Sequence, residues 1–156
     1  MRITLFVLAA LAAVTISCSP DSKTSAAPVA EKVLKAVPPA DESRRFPKTN
    51  LVETKVVDDQ LLGKKFMPGG TLAHYKNGSV EYDMFIAKSA KAAYLLPDWS
   101  SALTNAKLVP SFGGYFGDDN GRPVFVFSKG SYIAGIVGLS EKDADAEART
   151  LATRIE

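Results

Sequence analysis

The chain contains a single histidine, His74, which is the first residue to consider for acid-base chemistry. It lies in an alternating segment that predicts a β-strand, opposite Glu81 of the next predicted strand and on the same face as Asp83. A histidine beside a carboxylate could act as a general acid or base in a hydrolase. An exposed cross-strand pair has the same pattern, and we favour that interpretation. No G-x-S-x-G nucleophile elbow occurs, so we predict no catalytic residues and no enzyme activity.

A second candidate for chemistry is the acidic segment in which Asp118, Asp119 and Asn120 precede Gly121. Clustered oxygens suit a hard cation, which makes metal binding an alternative function. The spacing lacks the alternating ligands and the later glutamate of an EF-hand, and such a segment is typical of a turn between strands. The glycine-rich segment 113–117 lacks the lysine of a phosphate-binding loop. We therefore predict neither a metal ion nor a cofactor.

The only cysteine, Cys18, ends an N-terminal segment with the features of an export signal. Arg2 supplies a positive charge, residues 3–16 are almost entirely apolar, and the small Ser17 precedes the cysteine. The apolar run is shorter than the roughly 20 residues that a membrane-spanning helix needs. With no second cysteine the chain cannot close an internal disulfide, so an exported domain must be held together by its core.

Residues 14–18 resemble the lipobox of bacterial prolipoproteins, with Thr15 departing from the aliphatic residue usual at that place. The resemblance implies cleavage after residue 17 and a lipidated Cys18 that anchors the protein in a membrane. Ser19, by similarity to the sorting rule of enteric bacteria, implies the outer membrane, with the protein facing the periplasm. An ordinary secretory signal with a chance cysteine is the alternative.

Three regions are expected along the chain: a signal peptide at 1–17, a lipidated cysteine with a disordered tether at 18–45, and one domain at 46–156. The tether is predicted from its Ser, Ala, Pro, Lys and Asp content. The formal net charge of +2 is close to neutral and gives no indication of a nucleic-acid partner.

Strand and turn patterns predict an α+β domain, in which an antiparallel sheet of about five or six strands packs one face against two helical segments. One hairpin is centred on Asn77-Gly78 and pairs Tyr75 with Val80. Residues 108–116, 122–128 and 131–138 predict three further strands, the last two pairing Phe127 with Tyr132. Because both faces of that last hairpin are largely apolar, either both are covered or one is a binding surface.

The helical segments are predicted from helical spacing. Trp99 recurs with alanines and leucines at that spacing and is expected to anchor the core. The final helix begins at Ser140 with a capping-box-like Asp143, and its apolar stripe contains Ala144, Ala148 and Leu151.

The region from Gly69 onward resembles an uncharacterised domain of bacterial lipoproteins and other exported proteins. The residues that carry the resemblance are 68–70, 82–85, the alanine-rich helix, 113–117 and 129–132. It implies an exported α+β fold in the cell envelope and supplies no catalytic residues.

These observations predict a non-catalytic, membrane-anchored binding module whose partner is an envelope protein or an apolar ligand. The predicted contact residues are Phe85, Tyr115, Phe116 and Tyr132. The alternatives are an exported hydrolase centred on His74, a metal-binding protein using Asp118 and Asp119, and an inhibitor of a wall-degrading enzyme. The last is unconvincing without the disulfides that brace secreted inhibitors.

Overall fold

The structure is a computed structural model that describes residues 38–156. Its strands and helices are β1 (Leu51–Asp59), β2 (Pro68–Asn77), β3 (Val80–Lys88), α1 (Leu96–Ala102), β4 (Thr104–Val109), β5 (Gly114–Asp119), β6 (Arg122–Lys129), β7 (Tyr132–Val137) and α2 (Glu141–Ala152). Short 3₁₀ helices occupy Ser43–Arg45, Leu61–Gly63 and Ala92–Leu95. The predicted signal peptide, Cys18 and most of the predicted tether lie outside the described residues. Within 38–156, no helix is both long and apolar enough to cross a membrane.

One antiparallel sheet contains all seven strands, in the order β1-β2-β3-β7-β6-β5-β4. The α+β class is confirmed, whereas the expected five or six strands were too few. The predicted strand at 108–116 is in fact divided, because the backbone N–H groups of Phe112 and Gly113 both turn back to the carbonyl of Val109. Gly113 has φ +63°, which a glycine adopts without steric cost.

Helical elements cover both faces of the sheet, which corrects the expectation that they share one face. On the first face, here called the α2 face, Met84, Phe125 and Ile136 pack with helix α2. On the opposite α1 face, Phe85 and Val126 pack with Trp99 and its neighbours. All six residues of β7 are buried. The two-sided apolar hairpin is therefore explained by coverage of both its faces.

The expected start of the final helix and the core position of Trp99 are confirmed, whereas the alanine-rich segment before Trp99 forms a short 3₁₀ helix at Ala92–Leu95 in place of the expected helix. Ser140 caps α2, its side chain accepting a hydrogen bond from the backbone N–H of Asp143. The apolar stripe of α2 is buried. Trp99 is fully buried, its ring lies 5.8 Å from the Phe85 ring, and its Nε1–H donates to Met67 Sδ. It is a core anchor of the α1 face.

Both predicted hairpins form, but their registers differ from the expected ones by two residues. Tyr75 pairs with Tyr82 in the first hairpin, and Lys129 pairs with Tyr132 in the last. Gly78 has φ +62° and is the first of the two turn residues, while Ser79 keeps a negative φ, as in a type II′ turn. In the expected type I′ turn, Asn77 and Gly78 would be the first and second turn residues. Because the shift is even, every side chain keeps its predicted face.

The N-terminal part of the described chain is docked on the sheet before residue 46, where the tether was expected to end. The backbone N–H of Glu42 donates to Thr71 Oγ1 at 2.9 Å. The Arg45 guanidinium bonds the Glu42 carboxylate at 2.6 Å and the Tyr132 hydroxyl at 3.0 Å. Phe46 is fully buried. Ordered contacts of the domain thus extend several residues upstream of Phe46.

Gly135 is the position where the core tolerates least change. It lies between Phe85 and Val126 on the neighbouring strands. A Cβ there would overlap the Phe125 carbonyl oxygen and lie 2.6 Å from the Phe85 ring. We expect Gly135→Ala to lower the free energy of unfolding by about 1–3 kcal/mol, through overpacking. Urea unfolding of the full chain measures this, and an unchanged midpoint would contradict the close packing of Phe85 on Gly135.

Candidate functional site

The single histidine belongs to a three-residue polar cluster on the α1 face, in which Asp83 bonds both other members. His74 Nδ1 lies 2.8 Å from Asp83 Oδ1, and Arg122 Nη2 donates to Asp83 Oδ2 at 2.8 Å. Asp83 is the cross-strand neighbour of His74, because the register is shifted from the predicted one. The predicted partner, Glu81, instead forms an ion pair with Lys76.

A carboxylate can only accept a hydrogen bond, so the His74 nitrogen facing Asp83 carries the proton. In the neutral ring this leaves Nε2 as a proton acceptor, the orientation that a general base would need. Over residues 38–156, however, the bond to Asp83 is the only hydrogen bond that the His74 side chain makes, and no serine or threonine hydroxyl is bonded to Nε2. The arrangement is a cross-strand pair, and a hydrolase would need a nucleophile in addition to it.

The predicted acidic turn uses its carboxylates within the protein. Asp118 Oδ1 accepts the backbone N–H of Gly121 at 2.6 Å, and Asp119 Oδ1 accepts from Lys64 Nζ at 2.7 Å. Asn120 and Gly121 both have positive φ, as in a type I′ turn. In the described part of the chain, no group of three or more His, Cys, Asp or Glu residues is placed to hold a metal ion.

The four predicted contact residues do not form one surface. Phe85 and Tyr115 belong to the α1 face, whereas Phe116 and Tyr132 belong to the α2 face. Phe85 is fully enclosed and Tyr132 is 5% exposed under the Arg45 guanidinium, which corrects their assignment as accessible contacts. Tyr115 and Phe116 are half-buried, and their role in binding stays a prediction.

Phe116 lines a shallow depression of about 340 Å³ beside Gly117, Asp118 and Pro123. Lys107 borders it and forms an ion pair with Glu141 of α2. This depression brings one predicted contact residue close to the acidic turn.

A different cleft, of about 280 Å³, lies between the β2–β3 hairpin and helix α2. Its lining residues are Asn50, Asn77, Val80, Tyr82, Leu139, Asp143, Ala146 and Glu147. Two carboxylates, two amides and one phenol therefore face a common space, with no lysine, arginine or histidine among them. We refer to it as the Tyr82 cleft.

Tyr82 is 6% exposed, and its hydroxyl has no hydrogen-bond partner among residues 38–156. Every fully enclosed polar side-chain atom of those residues does have a partner, so this hydroxyl opens into the cleft. The ring stacks on Tyr75 with centroids 4.9 Å apart, and the Tyr75 hydroxyl donates to the Pro47 carbonyl at 2.8 Å. Stacking fixes the position of the Tyr82 ring.

Glu147 supplies the electrostatic character of the Tyr82 cleft. Burial raises the pKa of this half-buried carboxyl, since the charged form loses hydration. Burial, and then the negative charge of Glu147, raise the pKa of Tyr82 to about 12. No residue in the described range forms a salt bridge with Glu147. The cleft therefore has an uncompensated negative charge next to a free hydroxyl.

Sequence patterns did not identify this cleft, because its residues come from three separated segments. One signal was present: Glu147 interrupts the side of α2 that carries Ala144, Ala148 and Leu151. A carboxylate on the buried side of a helix loses hydration, and a partner group has to offset that cost.

Comparison with known proteins adds a fold relationship. No protein-family model matches the chain, and no curated protein matches it in sequence. Among solved structures it is similar to a protein from Thermotoga maritima described as a GTP binding regulator, with a TM-score of 0.50 and 12% identity over 65% of this chain and 73% of that chain. At this identity the similarity concerns the fold alone. The resemblance to a lipoprotein family stays a prediction.

Asp83 should matter more for stability than His74 does. Asp83→Ala removes the partner of two side chains, and we expect it to lower the free energy of unfolding by about 1–2 kcal/mol. His74→Ala leaves the Arg122 bond in place and should cost less than about 1 kcal/mol. Urea unfolding gives both values, with exposed Glu81→Ala as the control. An equal loss for His74→Ala and Asp83→Ala would contradict this order.

Glu147→Gln should stabilise the domain at neutral pH. The folded-state pKa of Glu147 lies above its ordinary value of 4.5, so ionising it favours the unfolded chain. That unfavourable contribution is present above the folded pKa and disappears below pH 4.5. Unfolding at pH 7 and at pH 4 should show a gain for Glu147→Gln only at pH 7, and none for exposed Glu156→Gln. A loss of stability at pH 7 would contradict this prediction, because it would show that the folded protein stabilises the ionised Glu147 carboxylate.

Proposed function

We propose that this protein is a lipoprotein of the bacterial cell envelope, anchored in the outer membrane through Cys18 and facing the periplasm, whose domain is a non-catalytic binding module. The Tyr82 cleft is its binding site. The observation that carries the proposal is the free Tyr82 hydroxyl beside the unpaired Glu147 carboxylate. By contrast, His74 and Asp83 bond each other. The carboxylates of the acidic turn are also occupied, since Asp119 accepts from Lys64 and Asp118 accepts from the backbone of Gly121.

The anchoring part of the proposal is supported by the sequence. The lipobox-like segment 14–18 contains the only cysteine, and a tether-like composition follows it. A mature lipoprotein cysteine carries more than one acyl chain, and two or more chains are what stable anchoring requires.

The chemistry of the Tyr82 cleft favours a ligand that carries an ammonium group on a short alkyl chain. Glu147 and Asp143 attract the positive charge, and the Tyr82 hydroxyl can accept a hydrogen bond from it. Val80, Leu139 and Ala146 offer an apolar wall for methylene groups. A volume of about 280 Å³ suits a group of that size. The ammonium could belong to a small amine or to a lysine side chain of an envelope protein.

The anchor is tested by fractionating envelopes that contain the wild-type chain or Cys18→Ser at equal expression. We expect the wild type in the outer-membrane fraction and the variant in the soluble periplasmic fraction, because the variant has no site for acylation. Incorporation of a labelled fatty acid into the wild type alone is the matched chemical readout. Identical fractionation of the two chains would reject the anchor.

Binding is tested on the purified full-length protein with 1,5-diaminopentane as the probe and 1,5-pentanediol as its uncharged control. We expect the diamine, and not the diol, to shift the NMR signals of residues lining the cleft. Glu147→Gln should weaken binding by about tenfold or more, the size of a charge-assisted hydrogen bond, and Tyr82→Phe should weaken it by less. A lysine-containing peptide tests the protein-borne source. Equal shifts with the diol, or none with either amine probe, would reject this binding site.

A further inference from the structure

Strand β1 is an edge of the sheet with an open backbone side and exposed apolar residues. It is nine residues long and pairs with β2 alone. Val52 is 58% exposed and Val56 is 39% exposed. Exposed edges of this kind are templates for pairing with another strand.

The backbone groups that β1 offers can be derived from the hairpin beside it. Asn77 and Val80 flank the two-residue turn and so form a hydrogen-bonded pair, which directs odd-numbered residues of β2 toward β3 and even-numbered ones toward β1. The backbone N–H of Lys76 indeed donates to the Asn50 carbonyl. Glu53 and Lys55, opposite His74 and Leu72, therefore bond inward, and Thr54 lies between them with its backbone groups directed outward.

A second copy of the same strand could pair with β1 in several antiparallel registers, and side-chain charge separates them. Centring on Lys55 or on Glu53 places two like charges directly opposite each other. Centring on Val56 places Glu53 opposite Asp59. Each of these is unfavourable.

Centring on Thr54 is complementary throughout. The outward backbone groups of the two Thr54 residues then bond each other, and Glu53 of each copy faces Lys55 of the other. Val52 and Val56, two of the exposed apolar residues, also come opposite each other. The bulge at Val52 shortens the regular ladder, which makes the pairing weak and reversible.

We propose that two copies of this protein associate through antiparallel β1–β1 pairing centred on Thr54, joining their sheets into one. The other edge strand, β4, is less suited to this role. Its pairing with β5 is irregular between Thr104 and Lys107, and Asn105 has φ +53°. Such an interruption bends an edge away from further pairing.

The symmetry of this pairing also fits two chains in one membrane. Directly opposed residues of an antiparallel pair project from the same face, so the two-fold axis is perpendicular to the sheet. The docked segment that includes Glu42 contacts Thr71 on the α2 face. Both copies thus present that segment on the same side. Anchoring as in the proposed function would concentrate the copies, although the pairing does not require it.

Cysteine crosslinking in intact envelopes tests the register. Opposed residues of a hydrogen-bonded antiparallel pair have Cα atoms about 5.5 Å apart, within disulfide range. Under mild oxidation Thr54→Cys should give a disulfide-linked dimer at a yield well above the wild type and above Leu108→Cys on the β4 edge. Lys55→Cys should give little, since its symmetry mate is displaced along the strand. A yield for Thr54→Cys no greater than for Leu108→Cys, or a stronger dimer with Lys55→Cys, would overturn the proposal.

A charge exchange provides the second test, in the Thr54→Cys background. Glu53→Lys places lysine opposite lysine at both symmetric positions, and we expect the crosslinked fraction to fall about fivefold or more. Adding Lys55→Glu restores opposite charges and should restore the yield. The assigned register would be overturned if Glu53→Lys left the crosslinked fraction unchanged. It would also be overturned if the double variant Glu53→Lys, Lys55→Glu did not recover that fraction. Cys18→Ser fractionation reports separately on the anchor, so the failure of either proposal can be recognised.

Discussion

The central strands β3, β6 and β7 are apolar on both sides, and the rest of the domain is arranged around that fact. A half-exposed sheet would leave one of these faces in water, at a cost that grows with the apolar area exposed. Phe85 and Val126 require cover on one side, and Met84, Phe125 and Ile136 require it on the other. Helix α2 covers the second group, and the helical connection containing Trp99 covers the first. The chain therefore passes from one face to the other between β3 and α2.

Coverage of both faces leaves the ends and margins of the sheet for polar groups. His74, Asp83 and Arg122 meet beyond the apolar cover of the α1 face, where each can bond the next. On the α2 face, the cover is incomplete near the β2–β3 turn, and Tyr82 and Glu147 face the resulting cleft. The difference between the two places is pairing: the first cluster satisfies its own charges, while the second retains a carboxylate and a hydroxyl for an external group.

The residue patterns were sufficient for local structure. Periodicity predicted the two hairpins, the cap at Ser140 and the core role of Trp99, because each depends on neighbours in the chain. Local pattern did not decide the turn of the first hairpin, because Asn-Gly and Gly-Ser both suit a two-residue turn. The turn is Gly78-Ser79, which places Asp83, rather than Glu81, opposite His74. Phe85 was misjudged because only the fold places glycine beneath its ring. The Tyr82 cleft joins a hairpin to a helix some 60 residues later, and no local pattern encodes such proximity.

The contacts of Arg45 have a mechanical consequence. Its guanidinium bonds the hydroxyl of Tyr132 on β7 and the backbone carbonyl of Arg154 near the C-terminus, and the next residue, Phe46, is buried. A pull applied upstream of this point is resisted by a central strand and by the segment that follows α2 before it reaches β1. Edge strands separate readily when they are peeled one bond at a time. With Arg45 and Phe46 in place, tension on the N-terminal side must first break several contacts together, and edge strand β1 is protected from unzipping.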